Sequence, residues 1–575
     1  MKEIVTIQVG DFSNYIGAHF WNFQDELLGL AEDPQGDPVF RNEFLDMNVL
    51  YRSGETQQGI HTYTPRLLSI GFQGSLGSLR SRGSLYHESP SSDPSHVVTW
   101  TGKISRHASE PCKKNLFLQS LEEDEHKLPT VFANASVRED CSGSDIQDKD
   151  RVECLQNGVE FWTDFSKVHY HPRSLYELNG SWTDVQEFDN YGIGRDVLLS
   201  GSQSEEMNER LRFFVEDCDH IQGIHFTVDD SGGFSSVAAD FLEHIADEYT
   251  NTPVLLYAAR GPKSHMDTES RKQFVLRALH DSVSLSKLSS FCKLMVPIGL
   301  PSLSRSKAAT FLSIEDENPF HCSAVYGAAL SSISLPFRMD TFGSSAASNY
   351  VSGAVDMGGL VYMLADQARS NPVAILDVAM PAPPLTGEGR KWSFLGSLHS
   401  LTPEVAEDIE DVCRAETTVI HGAIHEGGRG ASVSEVKDSV YEAFQSLLSK
   451  PMFSHLSVAR SPLPIPLPFP SIFGSHVGPQ GELLRSFIRD SLPRGSLDIH
   501  SIPVAARLRS SNAILPFVEK RLVHLQRFGI DRGAPGSHLL RSWGFQNDEV
   551  EDMREVLSKM VMSLKPHSET SSGSE

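Results

Sequence analysis

The sequence predicts an α/β protein built on a mostly parallel sheet with helices on both faces. The first observation is the opening stretch. Ile4, Val5, Ile7 and Val9 form a short β-rich run of the kind a strand buried on both faces shows. Gly10 ends it, and from Ile16 onward Ile16, Phe20, Phe23 and Leu27 recur at helical spacing. The second is a repeat of that alternation. Met207, Leu211, Phe214 and Cys218 place one apolar face on a helix over 204–220, which Gly223 closes. A strand over 224–228, a glycine turn, a helix with Val237, Phe241, Leu242 and Ile245 inward, and a strand over 253–257 follow. The third is size: 575 residues, 39% hydrophobic, exceed what one core usually holds, so two or more domains are expected.

Charge and cysteine usage narrow the classes. A formal charge of -25 disfavours non-specific attraction to nucleic acid or anionic lipid. Seven scattered cysteines with no CxxC spacing argue for reduced thiols, against a disulfide framework and against a zinc site. No apolar run reaches the roughly 18 residues of a spanning helix. The opening strand, carrying Glu3, does not read as a presequence, and neither end carries a lipidation signal.

The elements follow in order. Residues 28–51 are polar and read as loop. Residues 62–70 form one strand, with Pro65 at an edge or near its start. Gly71, Gly74 and Gly77 make a turn region. Residues 80–157 hold serine-rich text over 81–95, the acidic run 122–125 and the polar stretch 145–150; they read as a solvated insertion with one short strand at Val97, Val98 and Trp100. Residues 159–171 suit a helix packing by an aromatic face. His169 and His171 have no Cys or acidic partner at close spacing and read as structural or surface histidines. Residues 272–301 give a helix and a short extended piece, and 319–338 a long apolar helix. A short helix over 360–368, a strand over 373–378 and a proline-rich loop over 381–386 come next. Residues 404–414 read as a polar helix and 417–421 as a strand. The glycine cluster 427–430 lacks the Lys-Ser/Thr of a phosphate loop and reads as an exposed turn. An amphipathic helix spans 435–448. The alternating prolines of 461–473 make a stiff segment packed on the body. Apolar pieces at 502–508 and 512–517, helices over 517–528 and 549–564, and a frayed tail over 568–575 complete the chain.

Two turns carry candidate chemistry. The helix after Gly10 would offer free N–H groups to an anion; equally, Gly10 and Gly17 would only permit a sharp turn and close packing. In the second, Gly232 and Gly233 with Ser235 and Ser236 could bring N–H groups around a phosphate. The alternative is a shaped βα turn whose serine caps a helix. Phe234 is bulky there, and Asp229 and Asp230 would repel phosphate unless a cation intervened.

These residues carry a resemblance. Gln8-Val9-Gly10-x-x-x-Asn14-x-Ile16-Gly17-x-x-Phe20-Trp21 resembles the opening of a tubulin chain, and Tyr63-Thr64-Pro65-Arg66 resembles the strand that follows in tubulins. Together with Gly74-Ser75-Leu76, Tyr170-His171-Pro172-Arg173-Ser174 and Asp230-Ser231-Gly232-Gly233-Phe234-Ser235, the chain resembles the misato family from end to end, while the tubulin likeness fades in the second half. The resemblance implies a tubulin-like, Rossmann-type sheet, a long central helix at 319–338 and a second, smaller α/β domain. It divides the chain into a nucleotide-binding-type domain over 1–338 with a polar family insertion at about 81–157, a second domain over 339–530, and a C-terminal helix and tail over 531–575. The cofactor it implies is GTP or GDP, held by Gln8, Gly10 and Asp11 at the first turn and Ser231, Gly232, Gly233 and Ser235 at the second.

The chain departs from the tubulin pattern where catalysis would need it. Gly71 and Gln73 stand where tubulins carry acids for the magnesium-nucleotide site. Ser231, Phe234, Ser235 and Val237 replace small or hydroxyl residues of the phosphate loop. No Asn-x-Asp-type signature follows the central helix; Asp340 and Asp356 are isolated and read as turn or cap residues. No catalytic residue, no metal ligand and no efficient hydrolysis are therefore expected. The family implies regulation of mitochondrial distribution and morphology from the cytoplasm and the outer mitochondrial surface, through outer-membrane proteins or through tubulin and its chaperones. Two other readings stay open: a cytosolic factor in tubulin folding or microtubule and spindle assembly, and an active GTPase that self-assembles.

Overall fold

The computed structural model describes residues 2–41, 45–55, 61–79, 112–122, 148–180, 187–199, 201–261, 270–339, 350–367, 371–385, 394–406, 413–425, 428–445, 450–484, 486 and 492–565. Its first sheet contains β1 (Glu3–Val9), β4 (Leu67–Phe72), β5 (Leu175–Leu178), β6 (Ile221–Asp229), β7 (Val254–Ala259) and β8 (Leu294–Ile298). Their order is β5-β4-β1-β6-β7-β8, and every pairing is parallel. Ile4 of β1 faces the core beneath the second sheet, and Val5, Ile7 and Val9 face an outer core. Burial on both faces explains why these strands read as apolar runs rather than alternating patterns.

The helix Asp11–Glu32 crosses one face of this sheet and packs on the helix Pro319–Ile333. All of Pro319–Ile333 but its first residue is buried, because strands of the second sheet lie on its other side. That sheet has the order β11-β10-β16-β12-β13-β9, from β9 (Val351–Ser352), β10 (Ile375–Ala379), β11 (His399–Ser400), β12 (Cys413–His421), β13 (Phe453–Ala459) and β16 (Val504–Ser511). Only β12 and β13 pair in parallel. Its middle is pinned by a buried carboxylate. Asp377 on β10 accepts from Arg507 at 2.8 and 3.0 Å and from Arg509 at 2.7 Å, both on β16. Two small antiparallel pairs, β2 (Tyr51–Glu55) with β3 (His61–Pro65) and β14 (Leu463–Pro464) with β15 (Ser501–Ile502), lie outside the sheets. On the outer face of the first sheet, the helices Arg271–Phe291, Leu515–Leu525 and Asn547–Leu564 share one core.

Several sequence expectations change. Residues 62–70 are two strands: β3 ends at Pro65, which lacks an N–H to continue a ladder, and β4 begins at Leu67. Between them Arg66 donates from Nη1 to the Asn48 carbonyl at 2.6 Å and to the Tyr51 carbonyl, fastening the hairpin to the sheet. The first helix runs on to Glu32, into the stretch read as loop. Gly223 does not close a helix; it sits inside β6 opposite Ile4. Residues 159–171 hold only a 3-10 turn, Trp162–Phe165, because Asp164 accepts from the Glu160 and Phe161 amides and closes the chain locally. His171 stacks on Phe213 with ring centroids 4.8 Å apart, and burial together with Arg52 and Arg173 lowers its pKa to about 4.

The insertion is not wholly solvated. Asp148–Gln156 is a helix with Val152 and Leu155 buried, and Phe117 is buried too; Val97, Val98, Trp100 and the serine-rich text lie outside the described residues. The expected helix over 404–414 is absent where described. Glu404 is a turn residue paired with Lys520 and Arg521, and Cys413 and Arg414 begin β12. Residues 502–508 belong largely to the eight-residue strand β16, which lies between β10 and β12. The proline-rich segment is mostly buried, and Asp356 caps a short helix by accepting from the Gly359 amide at 2.7 Å. Asp340, Gly427 and the tail lie outside the described residues.

Candidate functional site

Because β1 and β6 are parallel neighbours, their carboxyl ends bring the two candidate turns side by side, the place where open α/β sheets usually bind ligands. Gly10 stands at φ 106°, ψ 165°, a conformation that glycine alone adopts cheaply. A Cβ there would lie 2.5 Å from the Asp229 carboxyl carbon. Asp229 reaches across from the end of β6 and sits on the helix start. It accepts from the Phe12 amide at 3.0 Å, the Ser13 amide at 2.7 Å and Ser13 Oγ at 2.9 Å. It is 4% exposed, and burial, with Asp11 nearby, raises its pKa to about 7 against the pull of those three donors.

Gln8 does not face this turn. Its amide is buried against Gly17, within 2.3 Å of where a Cβ would stand. Asn14 ties the helix to β4, accepting from Ser69 Oγ at 2.8 Å. Phe12 meets Tyr326 of the central helix edge-on at 6.2 Å and fills the space between them. Asp11 is partly exposed at the rim.

At the second turn Gly232 has φ 65°, and a Cβ would lie 2.2 Å from the Phe188 carbonyl oxygen. That carbonyl accepts from the Gly233 amide at 2.8 Å. Gly233 also abuts the helix Tyr191–Leu198: a Cβ on Gly194 would lie 2.0 Å from the Gly233 carbonyl oxygen. Phe234 packs against Phe72 at 4.5 Å and Phe188 at 5.1 Å, where a small residue would leave room. Ser235 is buried and does not cap the helix. Its hydroxyl donates to the Gly232 carbonyl at 3.0 Å and meets His280 Nε2 at 3.0 Å. Ser231 is half-buried at the tip. Asp230 points the other way, accepting from Ser284 Oγ at 2.6 Å and pairing with Arg260 at 3.0 Å. Arg260 also grips Asp281 at 2.8 Å; burial would raise the Asp281 carboxyl, but Arg260 holds it well below the usual range. A cavity of about 230 Å³ opens beside this cluster, between the ends of β7 and β8 and the helix Leu515–Leu525.

The two turns are thus adjacent, and three of their donors serve the chain itself. Carboxylate and carbonyl oxygens take the Phe12, Ser13 and Gly233 N–H groups, and phenylalanines fill the space around them. A phosphate at these three donors would have to displace Asp229 and the Phe188 carbonyl. The residues that the sequence reading missed are Asp229 as occupant, Phe188, Gly194, His280 and Glu177. Glu177, near the end of β5, accepts from the Gly74 amide at 2.6 Å, beside the positions where Gly71 and Gln73 supply no acid. The available signal was an acid ending one apolar strand beside a glycine ending another. Among the described residues no group of three or more His, Cys, Asp or Glu could hold a metal ion, and no helix is long and apolar enough to cross a membrane.

The parallel sheet, the buried central helix and the paired turns at the strand ends define a tubulin-like protein. Comparison with known proteins agrees: a family model described as Misato Segment II tubulin-like domain matches residues 2–123, and one described as Tubulin domain matches residues 153–339. Protein misato homolog 1 of Homo sapiens is 28% identical over 590 residues, covering 97% of each chain. Its Danio rerio counterpart is 28% identical over 613 residues, covering 99% of this chain and 98% of its own. Protein DML1 of Gibberella zeae is 29% identical over 354 residues, 60% of this chain and 62% of its own. The chain is thus similar over nearly its whole length to misato proteins and, in its first 339 residues, to tubulin-like family models.

Proposed function

We propose that this protein acts through its folded surface rather than by turning over a nucleotide, and that its role is the regulation of mitochondrial distribution and morphology. The observation that carries this reading is the first turn, where Asp229 already uses the N–H groups that a phosphate would need. An efficient GTPase would also need acids that Gly71 and Gln73 do not supply. On this reading the protein works in the cytoplasm and peripherally at the outer mitochondrial surface, recruited by an outer-membrane protein. Residues 1–338, 339–530 and 531–575 would be its three units. GTP or GDP, if held, would be structural.

The second reading is a cytosolic factor in tubulin folding or microtubule assembly. The complete six-stranded sheet and buried central helix favour it, because they preserve a tubulin-like body on which tubulin's own folding partners could act. Affinity capture of the full chain from cytosol and from mitochondrial membranes separates the two. Enrichment of an outer-membrane protein supports the first reading, and enrichment of tubulin with its chaperones supports the second. Release of near-equimolar guanine nucleotide from the purified, denatured protein, with hydrolysis on adding GTP and magnesium, would sink the first and restore the self-assembling GTPase.

A further inference from the structure

We infer that the cavity beside Arg260 is a binding site for a small organic anion, a molecule carrying a carboxylate or a phosphate on a short apolar body. The cavity, about 230 Å³, lies where the ends of β7 and β8 meet the helices Arg271–Phe291 and Leu515–Leu525. Its lining holds four cations, Arg260, Arg277, Lys520 and Arg521, against three carboxylates, Asp230, Asp281 and Glu404. The chain uses up the carboxylates. Asp230 accepts from Ser284 Oγ at 2.6 Å and from Arg260 at 3.0 Å. Both oxygens of Asp281 accept from Arg260, at 2.8 and 3.1 Å. Glu404 accepts from Lys520 at 2.8 Å with one oxygen and from Arg521 with the other. Donors are left over. Arg521 is 5% exposed, and its guanidinium lies over the Phe517 ring at 3.5 Å. Only its Nη1 hydrogen-bonds, to Glu404 and to the Phe517 carbonyl; Nε and Nη2 have no acceptor among the described residues. Lys520 beside it uses one of its three N–H groups. A buried guanidinium edge in need of acceptors, next to an ammonium and among saturated acids, is complementary to a carboxylate or a phosphate. His524 shares the lining and meets Phe274 edge-on at 5.7 Å. Burial, with Lys520 and Arg521, lowers its pKa against the opposing pull of Asp281 and Glu404, which agrees with positive charge in excess there. Phe274, Ile298, Pro301 and Pro403 complete the lining with surface suited to a short apolar body. The volume lies below the usual range of ligand pockets, so the ligand is smaller than a nucleotide.

This site is separate from the two candidate turns and does not rest on how they are used. The test uses the full chain, titrated by calorimetry with succinate and with inorganic phosphate, in sodium chloride at matched ionic strength. The expected result is one-to-one binding of at least one of them with a dissociation constant below about 1 mM. Binding of succinate alone would mark a carboxylate ligand, and binding of phosphate alone a phosphate ester. Lys520→Met and Arg521→Gln should each weaken that binding by about tenfold or more. Arg429→Met, which removes a cation that is 74% exposed and does not line the cavity, should leave it unchanged. The His524 imidazole resonance, assigned by its loss in His524→Gln, should titrate at a higher pH when the anion is bound, because a negative charge then joins its surroundings. The inference is overturned if neither anion binds the wild type, if Arg429→Met weakens binding as much as Lys520→Met does, or if the His524 titration does not move on binding. Should Arg521→Gln not fold, Lys520→Met decides, since the Lys520 side chain is 52% exposed and its loss leaves Arg521 paired with Glu404.

Discussion

Truncating Phe188 to alanine should be among the most damaging single changes near the candidate turns. Its ring is 0% exposed and packs edge-on against Phe72 at 5.3 Å and Phe234 at 5.1 Å. The structure around it cannot collapse easily, because Gly232 and Gly233 already touch the Phe188 segment. A buried Phe→Ala change costs about 3–5 kcal/mol, of which each lost aromatic pair accounts for roughly 0.5–1.5 kcal/mol. That is about two to three and a half powers of ten in the unfolding equilibrium. Urea unfolding followed by tryptophan fluorescence, read at the first transition because a chain of this size need not unfold in one step, gives the number. Phe274→Ala is the control, since Phe274 is 38% exposed and should lose far less. Exchange of the Gly233 amide adds a local readout, because its acceptor is the Phe188 carbonyl. If Phe188→Ala costs no more than Phe274→Ala and leaves that amide protected, the turn is not held by the ring.

Asp377→Asn should destabilise the second sheet by about 3–5 kcal/mol, measured by urea midpoint, since it leaves Arg507 and Arg509 without their shared charge. The same pair holds the Asp377 carboxyl below its ordinary value against the effect of burial. Its stabilisation is therefore complete above the unfolded carboxyl pKa of about 4 and is lost on acidification through the lower folded value. His19, His225 and His421 are buried, and burial lowers them to about 3, 4 and 3, so the unfolded chain binds protons first and stability should fall as pH drops below about 6.5. Asp229 runs the opposite way: raised to about 7, it stabilises most below about 4 and least above 7, so Asp229→Asn should steepen the acid loss of melting temperature between pH 7 and 4. Leu557→Asp, which puts a charge into the core beneath the last helix, should lower the melting temperature and increase binding of a hydrophobic dye, whereas Met562→Asp, 69% exposed, should do neither.

The fold was legible where burial writes itself into one segment. The run Ile4–Val9 and the spacing of Met207, Leu211 and Phe214 each specify an element without help from elsewhere. The second sheet was harder, because β12 and β16 have polar faces that only their partners explain. Glu416 and Arg507, 3.5 Å apart, become partners only because β12 and β16 lie side by side. Residues 404–414 have helical composition, but Glu404 is drawn into a turn by two cations more than a hundred positions away. At the candidate site, the glycines were visible and their use was not. Gly232 and Gly233 are needed for close approach, and what approaches them is Phe188, which no local spacing announces. Asp229 was noticed as a charge that would repel phosphate; that it occupies the helix start itself depends on the pairing of β1 with β6, a fact of topology rather than of motif.

The last helix, Asn547–Leu564, lies on the helices Leu515–Leu525 and Arg271–Phe291. During synthesis the first of those partners to leave the ribosome, Arg271–Phe291, precedes its cover by more than two hundred and fifty residues. At ordinary elongation rates that interval is on the order of ten to fifty seconds. Throughout it the nascent chain can complete the six-stranded sheet but cannot finish burying the helix layer on its outer face. Val275, Leu279 and Val283 therefore stay only partly covered until Asn547–Leu564 has been made, and the core they share closes at the end of synthesis rather than with the sheet.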